Sequence, residues 1–275
     1  MIKFSVLMSV YIKEKPDFLR ESLNSIFKQT LQPNEIVLVE DGPLTNKLYS
    51  IINDFQQKYP TFKTVILKEN VGLGKALNEG MKYCSYDIIA RMDSDDICLT
   101  NRFEKQISFL QNHPEIDMIG CWTQEFTEDN NGAKQYMAIK KFPITNDEIY
   151  KFGKNRNPFE HPSVIFKKEA IIKAGGYIHC YLFEDYYLWA RMMMNNCKFY
   201  NIPEPLLYFR MTENSFERRG GWKYAITEVK NMWMFKKIGF FSLSLYLKNV
   251  FTRFPVRIMP NKLRKFIYNT FLRKY

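Results

Sequence analysis

The chain has 275 residues, of which 46% are hydrophobic and 16% aromatic, so it can bury a core and is not a disordered protein. Its five cysteines are scattered, odd in number and nowhere paired as CxxC, which argues against a disulfide framework or a zinc cluster and predicts reduced, mostly buried thiols. The net charge of +11 resides entirely in residues 229–275, which contain eleven Lys or Arg and no Asp or Glu. The body, residues 1–228, is neutral, so a nucleic-acid partner is not expected.

Apolar strand-like runs alternate with helix-period stretches over residues 4–130, which predicts a parallel sheet with crossover helices. The predicted strands are FSVLMSVY, EIVLVE, KTVILKE and YDIIARM, and the predicted helices cover 16–30, 47–59, 73–83 and 102–112. Residues 1–11 lack a cleavage site and read as a first strand rather than a signal peptide, so we expect a cytosolic protein.

The pattern is looser after residue 130. The runs EDNNG and FGKNRNP predict loops, and they are followed by a strand at SVIF, a helix over 184–195 and strands at CKFYNI and LLYFR. From Gly221 onward two or three helices are predicted. Their longest nearly apolar stretch, 238–247, is too short to span a bilayer.

Three carboxylates, Asp93, Asp95 and Asp96, follow the fourth predicted strand in the sequence DSDD. Ligands of open α/β sheets bind at the carboxyl ends of the strands, so these side chains are expected where a ligand lies. Carboxylate oxygens suit Mn²⁺ or Mg²⁺, which would bridge to nucleotide phosphates. The alternative is a polar turn in which Asp96 caps the next helix.

Three further loops are expected at the same edge of the sheet, on the same strand-end rule. The first strand ends in Ser-Val10-Tyr11, the second in Glu-Asp41-Gly, and the third leads into the run NVGLGKALNEG, which contains Lys75. Glycines at a helix start let the backbone approach a ligand closely. GLGK lacks the spacing of a phosphate-binding P-loop, so alone it is equally consistent with an ordinary helix start.

Together, the segments SVLMSVYIKEKPDFLRESLNSIFKQTLQPNEIVLVEDG, ENVGLGKALNEG and ARMDSDDICLTNRFEKQ resemble the nucleotide-binding half of glycosyltransferase family 2, which has the GT-A fold. The resemblance covers residues 4–210 and implies a UDP-sugar donor. It implies these contacts: Val10, Tyr11 and Asp41 near the uridine, Lys75 near the nucleotide, Asp93 and Ser94 near ribose and diphosphate, and Asp93 and Asp95 on Mn²⁺ or Mg²⁺.

Two segments of the second half extend the resemblance. HPSVIFKKEAIIKAGGY is similar to the family segment that lines the sugar and acceptor pocket, and FEDYYLW is similar to its ED motif. The resemblance implies that Asp185 is the general base, with Glu184 as the first alternative. Direct displacement requires the acceptor hydroxyl to lose a proton while a metal stabilises the departing diphosphate. Alternatively both carboxylates only cap a helix, and the sequence leaves the direction of the Asp185 pKa shift open.

Other candidates carry two interpretations each. His161 either contacts the diphosphate or acceptor or is a structural loop histidine. Trp189 either stacks on a sugar ring or packs in the core. The arginines Arg210, Arg218 and Arg219 lie where the family often has a basic loop that closes over the nucleotide, and a solvated loop is the alternative.

These observations predict an α/β protein of the GT-A type, with a Rossmann-like sheet and helices on both faces. The catalytic domain is predicted to cover 1–220, with a nucleotide-binding half over 1–100 and an acceptor half over 101–220, followed by a basic aromatic helical tail over 221–275.

The resemblance implies an inverting enzyme that moves galactose or glucose from a UDP-hexose to a lipid-linked glycan, most similar to O-antigen and capsule β-1,3-glycosyltransferases acting on GlcNAc-diphospho-undecaprenol. The alternative is a non-catalytic sugar-nucleotide-binding subunit of a polysaccharide assembly complex. Residues 229–275 are expected to dock peripherally on the anionic cytoplasmic face of the inner membrane. The alternative for these helices is that they pack back onto the domain.

Overall fold

The computed structural model describes residues 2–129, 132–211 and 220–260. Within these residues one mixed sheet has the strand order β3-β2-β1-β4-β8-β6-β9-β5, and β7 pairs with β6. The strands are β1 (Phe4–Val10), β2 (Glu35–Glu40), β3 (Phe62–Ile66), β4 (Ile88–Arg91), β5 (Ile97–Cys98), β6 (Met118–Glu128), β7 (Lys134–Lys140), β8 (Ile165–Lys167) and β9 (Phe199–Arg210). The helices are α1 (Pro16–Phe27), α2 (Asn46–Lys58), α3 (Leu73–Tyr83), α4 (Arg102–Asn112), α5 (Asn146–Gly153), α6 (Lys168–Lys173), α7 (Glu184–Met194), α8 (Trp222–Lys237) and α9 (Leu243–Ile258).

The first half confirms the predicted parallel sheet with helices on both faces. Strands β3, β2, β1 and β4 are parallel, and their apolar residues alternate between two cores. Val6 and Ile36 belong to the core under α1, α2 and α4, whereas Leu7 and Val37 belong to the core under α3 and α7. This arrangement brings the carboxyl ends of the strands to one edge of the sheet.

Gly80 lets α3 lie directly on the sheet. A Cβ at this position would lie 2.5 Å from Cγ2 of Val39 and 2.6 Å from Cδ1 of Leu7, so a larger residue would force either these side chains or the helix to shift. The third crossover helix is thereby held close to the strand ends that it follows.

The second half contains elements that the sequence did not predict. Strands β6 and β7 form an antiparallel hairpin across the EDNNG run, and α5 begins with a capping box made by Thr145 and Glu148. The two predicted strands CKFYNI and LLYFR are one strand, β9. Its register on β6 shifts between Ile202 and Pro205, where Pro203 has no N–H to donate to the ladder.

The predicted helices after Gly221 are confirmed as α8 and α9, while residues 261–275 lie outside the described part of the chain. Phe235, Phe240 and Phe241 are buried in the same core as Trp189. The ring of Phe235 lies 4.7 Å from that of Tyr186 on α7. These helices therefore pack back onto the body of the protein, as the alternative interpretation held.

No helix among the residues described is both long and apolar enough to cross a membrane. All five cysteines are buried and unpaired, as the sequence predicted. Burial raises the pKa of all five thiols, that of Cys84 to about 12, so these side chains are inert apolar groups of the core.

Candidate active site

The DSDD loop places three carboxylates together directly after β4. One oxygen each of Asp93, Asp95 and Asp96 lies within 4.8 Å of the others, a spacing at which they can share one cation. The predicted clustering of carboxylates at a strand end is confirmed. The assignment of Asp93 and Asp95 as metal ligands stays a prediction.

Arg210, at the end of β9, holds the DSDD loop in place. Its Nε donates to the carbonyl oxygen of Asp95 at 2.7 Å, and its backbone N–H donates to Oδ1 of Asp96 at 2.8 Å. Its guanidinium also binds Glu21 on α1 at 2.5 Å. The side chain is only 2% exposed. The expectation that Arg210 belongs to a loop closing over the nucleotide is therefore wrong, and Arg218 and Arg219 lie outside the described residues.

The alternative interpretation of the DSDD loop as a helix cap is also wrong. The N-cap residue of α4 is Asn101, five residues beyond Asp96. Asp96 is 1% exposed, and its Oδ2 atom has no hydrogen-bond partner among the described residues. A buried carboxylate oxygen without a partner is costly, and a bound cation is a chemically suitable partner.

Electrostatic repulsion among these carboxylates also indicates that the cluster suits a bound cation. Burial, reinforced by the negative charges of Asp93 and Glu14, raises the pKa of Asp95 to about 7. Burial and the charges of Asp95 and Asp93 raise the pKa of Asp96 above its usual range. A divalent cation among these oxygens would offset the repulsion, so the residues present fit a metal such as Mn²⁺ or Mg²⁺.

Ser94 and the backbone of Asp93 are fixed by the segment that follows β1. The Ser94 hydroxyl donates to Glu14, and Ser22 of α1 donates to the carbonyl oxygen of Asp93 at 2.8 Å. Burial raises the pKa of Glu14. The sequence did not identify Glu14, which brings a further carboxylate to the edge of the cluster.

Asp41 closes the loop that follows β3 onto the end of β2. Its carboxylate accepts hydrogen bonds from the backbone N–H groups of Val71 at 2.7 Å and Gly72 at 3.1 Å, and from Nδ2 of Asn70 at 3.0 Å. Gly42 is required next to it, because its φ is +84° and a Cβ there would lie 2.6 Å from the Asn70 nitrogen. Asp41 thus shapes the loop, and its predicted contact with uridine stays a prediction.

The remaining predicted nucleotide contacts lie around the same edge. Val10 is buried at the end of β1, and Tyr11, 42% exposed, follows it. Lys75 lies exposed in the first turn of α3. Their roles near the uridine and the nucleotide stay predictions.

The start of α3 meets the segment that carries the ED pair. A Cβ on Gly74 would lie 3.3 Å from Cβ of Tyr177 and 3.4 Å from Cγ of Glu184, so the two segments are in close contact. Asn78 fixes the AGGY turn by donating to the carbonyl of Tyr177 at 2.7 Å and accepting from its N–H at 2.8 Å. The structure therefore joins two segments that the sequence placed in different halves of the site.

Asp185 lies in the first turn of α7 with both oxygens bound. Oδ2 accepts from Nδ2 of Asn157 at 2.6 Å, and Oδ1 accepts from the N–H of Tyr186 at 2.7 Å. Burial raises the pKa of Asp185 and outweighs the lowering effect of these hydrogen bonds. Burial likewise raises the pKa of Glu184. The direction that the sequence left open is thus upward, which makes the Asp185 carboxylate a stronger base.

The N-cap of α7 is Phe183, and no side chain accepts the capping hydrogen bond there. Asp185 nevertheless accepts the first-turn N–H of Tyr186, so the interpretation of Glu184 and Asp185 as helix caps stays an alternative to the catalytic one. The residue before Phe183, Leu182, has a φ of +63°, a conformation that a branched residue rarely adopts. Backbone strain of this kind is concentrated at functional sites.

Arg91 connects the carboxylate cluster with the ED pair. This guanidinium is 1% exposed and binds Asp93 through Nη2, while Nε and Nη1 have no hydrogen-bond partner among the described residues. Its charge acts on the pKa of Asp95, Asp185 and His161. Arg91 lies two residues before Asp93, yet no pattern in the sequence distinguishes it from the other residues of the strand.

His161 and Trp189 are buried next to each other in the core. Nε2 of His161 lies 2.9 Å from the Tyr177 hydroxyl, and the imidazole ring is 5.8 Å from the ring of Trp189. Burial, with the positive charge of Arg91, lowers the pKa of His161 well below its usual range, so the side chain is neutral. Trp189 is fully buried, which confirms core packing and excludes stacking on a sugar at this position.

The profile of Glycosyl transferase family 2 matches residues 5–175. The chain belongs to this family. It is 42% identical over 273 residues to a UDP-Gal:α-D-GlcNAc-diphosphoundecaprenol β-1,3-galactosyltransferase of Escherichia coli, covering 99% of this chain and 98% of that protein. It is 40% identical over 268 residues to the amylovoran biosynthesis glycosyltransferase AmsE of Erwinia amylovora, covering 96% and 97%. The family 2 protein is therefore a glycosyltransferase, as the motifs predicted.

Solved structures confirm the GT-A fold of this family 2 enzyme. S. aureus TarS 1–349 in complex with UDP-GlcNAc superposes with a TM-score of 0.63 at 19% identity, over 84% of this chain and 66% of that one. The mannosyltransferase PcManGT from Pyrobaculum calidifontis, in complex with GDP-Man and Mn²⁺, gives 0.65 at 15% identity, over 91% and 68%. At these identities the likeness establishes the fold alone.

Proposed function

We propose that this glycosyltransferase transfers galactose from UDP-galactose, with inversion, to the 3-hydroxyl of N-acetylglucosamine on diphospho-undecaprenol. The observation that carries the proposal is the end-to-end similarity to the E. coli galactosyltransferase, 42% over 273 residues. The site geometry supports it, because the buried Arg91 binds the carboxylate cluster through Asp93 and its charge also acts on Asp185.

On the donor side, Asp93 and Asp95 would hold the divalent cation. When bound, Mn²⁺ or Mg²⁺ supplies positive charge that stabilises the departing diphosphate. The chain's own contribution is to fix the ligands: Arg210 holds the backbone of Asp95, and Arg91 orients the carboxylate of Asp93. Val10, Tyr11, Asp41 and Lys75 are proposed to line the uridine and nucleotide part of the cleft, with Ser94 next to the diphosphate.

On the acceptor side, Asp185 is proposed as the general base. The acceptor hydroxyl gives its proton to Oδ1 or Oδ2 while its oxygen forms a bond to the anomeric carbon, and the bond from that carbon to the diphosphate oxygen breaks with its electrons. The raised pKa of Asp185 favours the proton transfer, and the Asn157 hydrogen bond keeps the carboxylate oriented. His161 is proposed to support Tyr177 and Arg91 rather than to transfer a proton, because it is buried and neutral.

The reaction is proposed to occur at the cytoplasmic face of the inner membrane, with the enzyme bound peripherally. The charge distribution supports this location, because all of the excess positive charge is in residues 229–275. Each basic residue near an anionic surface contributes roughly 1 kcal/mol to binding.

A donor screen tests the proposal. The full-length chain is incubated with Mn²⁺, a synthetic N-acetylglucosamine diphospholipid and either UDP-galactose, UDP-glucose or UDP-N-acetylglucosamine. We expect transfer from UDP-galactose and reversible inhibition by EDTA. Asp185→Asn should lower kcat at least about a hundredfold with little effect on UDP-galactose binding, which is the usual cost of losing a general base. Preference for another donor would refute the galactose assignment, and full activity in EDTA would refute the metal.

A further inference from the structure

The inner side of helix α9 combines polar anchors with the apolar residues Leu245, Tyr246 and Val250, which pack against the core. Its one buried residue is Asn249, whose Nδ2 donates to the carbonyl of Lys154 at 3.3 Å. Arg253 and Arg257 also point inward and bind Glu228 of α8, which is 2% exposed. A surface helix of a water-soluble domain normally has its large apolar side chains on the core side and polar side chains on the outer side.

The outward side of α9 is an apolar stripe. Leu243, Leu247, Phe251 and Ile258 are 55%, 42%, 74% and 36% exposed. At about 100° per residue these four positions fall within an arc of about 80°, so they form one line along the helix. Side chains this size leave water when an apolar medium is available.

The neighbouring helix α8 contributes a second outward stripe. Trp222, Ile226 and Trp233 are 64%, 47% and 38% exposed and fall within an arc of about 40°. The two stripes meet at one end, where the ring of Trp222 lies 5.8 Å from that of Phe254 on α9. The side chains Trp222, Ile226, Trp233, Leu243, Leu247, Phe251 and Ile258 form what we call the outer face of the α8–α9 hairpin.

The charges around the outer face identify its partner. Lys223, Lys230, Lys237 and Lys248 are exposed on the same two helices. The sequence from 229 to 275 contains no acidic residue. Apolar side chains and tryptophans flanked by lysines are typical of helices that lie in the interface of an anionic bilayer. A water-soluble protein partner would need acidic side chains placed opposite each of these lysines, whereas an anionic bilayer has negatively charged headgroups over its whole surface.

We propose that the outer face of the α8–α9 hairpin docks onto an anionic lipid bilayer, with both helices parallel to the membrane surface. Asn249 and Arg253 hold α9 to the body by donating to the carbonyl oxygens of Lys154 and Asn155, so the apolar stripe faces the lipid. Arg257 and Arg253 join α9 to α8 through Glu228. This proposal rests on the peripheral attachment proposed above and identifies the face that makes it. Its test measures vesicle binding alone, so a negative result would leave the donor, the acceptor and the catalytic base unaffected.

The test is co-sedimentation of the full-length protein with vesicles of phosphatidylcholine, with and without phosphatidylglycerol, at low and high salt. We expect binding to the anionic vesicles that weakens at high salt without disappearing. The double variant Leu247→Ser/Phe251→Ser should bind at least about tenfold more weakly, because it removes two inserted apolar side chains. Its transfer to a water-soluble acceptor should be unchanged.

The matched control is Ile66→Ser/Ile172→Ser, which removes two apolar side chains that are 71% and 60% exposed outside the hairpin. This control should bind vesicles as the wild type does. Trp222 and Trp233 provide a second measurement, because lipids with brominated acyl chains should quench their fluorescence in the wild type. Equal vesicle binding by Leu247→Ser/Phe251→Ser and the wild type would overturn the proposal. So would a dimer, seen by sedimentation velocity, that this variant dissociates, because the face would then bind a second copy.

Discussion

Asn157→Ala tests whether the loop after α5 orients the proposed base. The substitution removes the 2.6 Å hydrogen bond from Nδ2 of Asn157 to Oδ2 of Asp185. This bond favours the charged carboxylate and lowers its pKa, whereas burial raises it. Arg91 also lowers the pKa, and Glu160 raises it. Loss of the bond therefore raises the pKa of Asp185 further.

The magnitude follows from the strength of a hydrogen bond to a charged group, about 1.5–3 kcal/mol. Asp185 is half-buried, and water screens the part that is exposed, so about half of this free energy is expected. That amount raises the pKa of Asp185 by about one unit. A base must be deprotonated to act, so activity is lost as pH falls through its pKa. The acid limb of kcat should move upward by about one pH unit, and kcat on that limb should fall about tenfold.

The assay is UDP release with a water-soluble acceptor between mildly acidic and mildly alkaline pH. KM for the UDP-sugar should change little, because Asn157 contacts the base and not the donor carboxylate cluster. Asn155→Ala is the matched control, since this neighbouring side chain is exposed and makes no hydrogen bond among the described residues. An unchanged pH profile in a correctly folded Asn157→Ala protein would refute the positioning role.

Two other predictions concern stability. Mn²⁺ should raise the melting temperature of the wild type by about 5 °C at saturating concentration, and Asp95→Asn should abolish that increase. The same increase in the variant would show that Asp95 is not a metal ligand. Glu228→Ala should lower the free energy of unfolding by about 3 kcal/mol in denaturant titrations, because both Arg253 and Arg257 bind that buried carboxylate. Burial raises the pKa of Glu228, but Arg257 and Arg253 outweigh burial and lower it. This stabilisation should therefore be lost in acid, as the pH falls below about 4.5. A loss of less than about 1 kcal/mol in Glu228→Ala would contradict the role of the Glu228–Arg253–Arg257 ion pairs.

The successful predictions depend on the rule that the functional loops of a parallel sheet follow the carboxyl ends of its strands. Asp41 and Asp93 follow β2 and β4, and parallel strands end at one edge of the sheet, so their neighbourhood could be predicted from the alternation of apolar runs alone. The resemblance to glycosyltransferase family 2 extended the prediction to the ED pair. Asp185 does lie in the first turn of the predicted helix.

Contacts between distant segments could not be predicted in this way. Asn157 lies in FGKNRNP, whose composition indicates only a loop, and its bond to Asp185 depends on how α5 packs against α7. Arg210 looked like part of a solvated basic loop because it ends a strand beside other arginines. The structure buries it against Asp95, 115 residues away in the sequence, where it holds the proposed metal-binding loop.

The tail illustrates why counting charges is insufficient. The sequence treats all basic residues of 229–275 alike, yet Arg253 and Arg257 bind Glu228 inside the protein and are engaged there. The side that faces outward is defined by Leu247 and Phe251 instead. Which face of a helix is buried depends on its tertiary contacts, and α9 has apolar side chains on its outer side as well as on its core side.

The most direct test of the central claim is the structure of the product. The enzyme is supplied with UDP-galactose, Mn²⁺ and the N-acetylglucosamine diphospholipid, and the purified product is examined by NMR. Single displacement with Asp185 as base predicts a β-linked galactose on the 3-hydroxyl, because UDP-galactose carries the α configuration and attack from the opposite side inverts it. An α-linked product, or a linkage to another hydroxyl, would contradict the account.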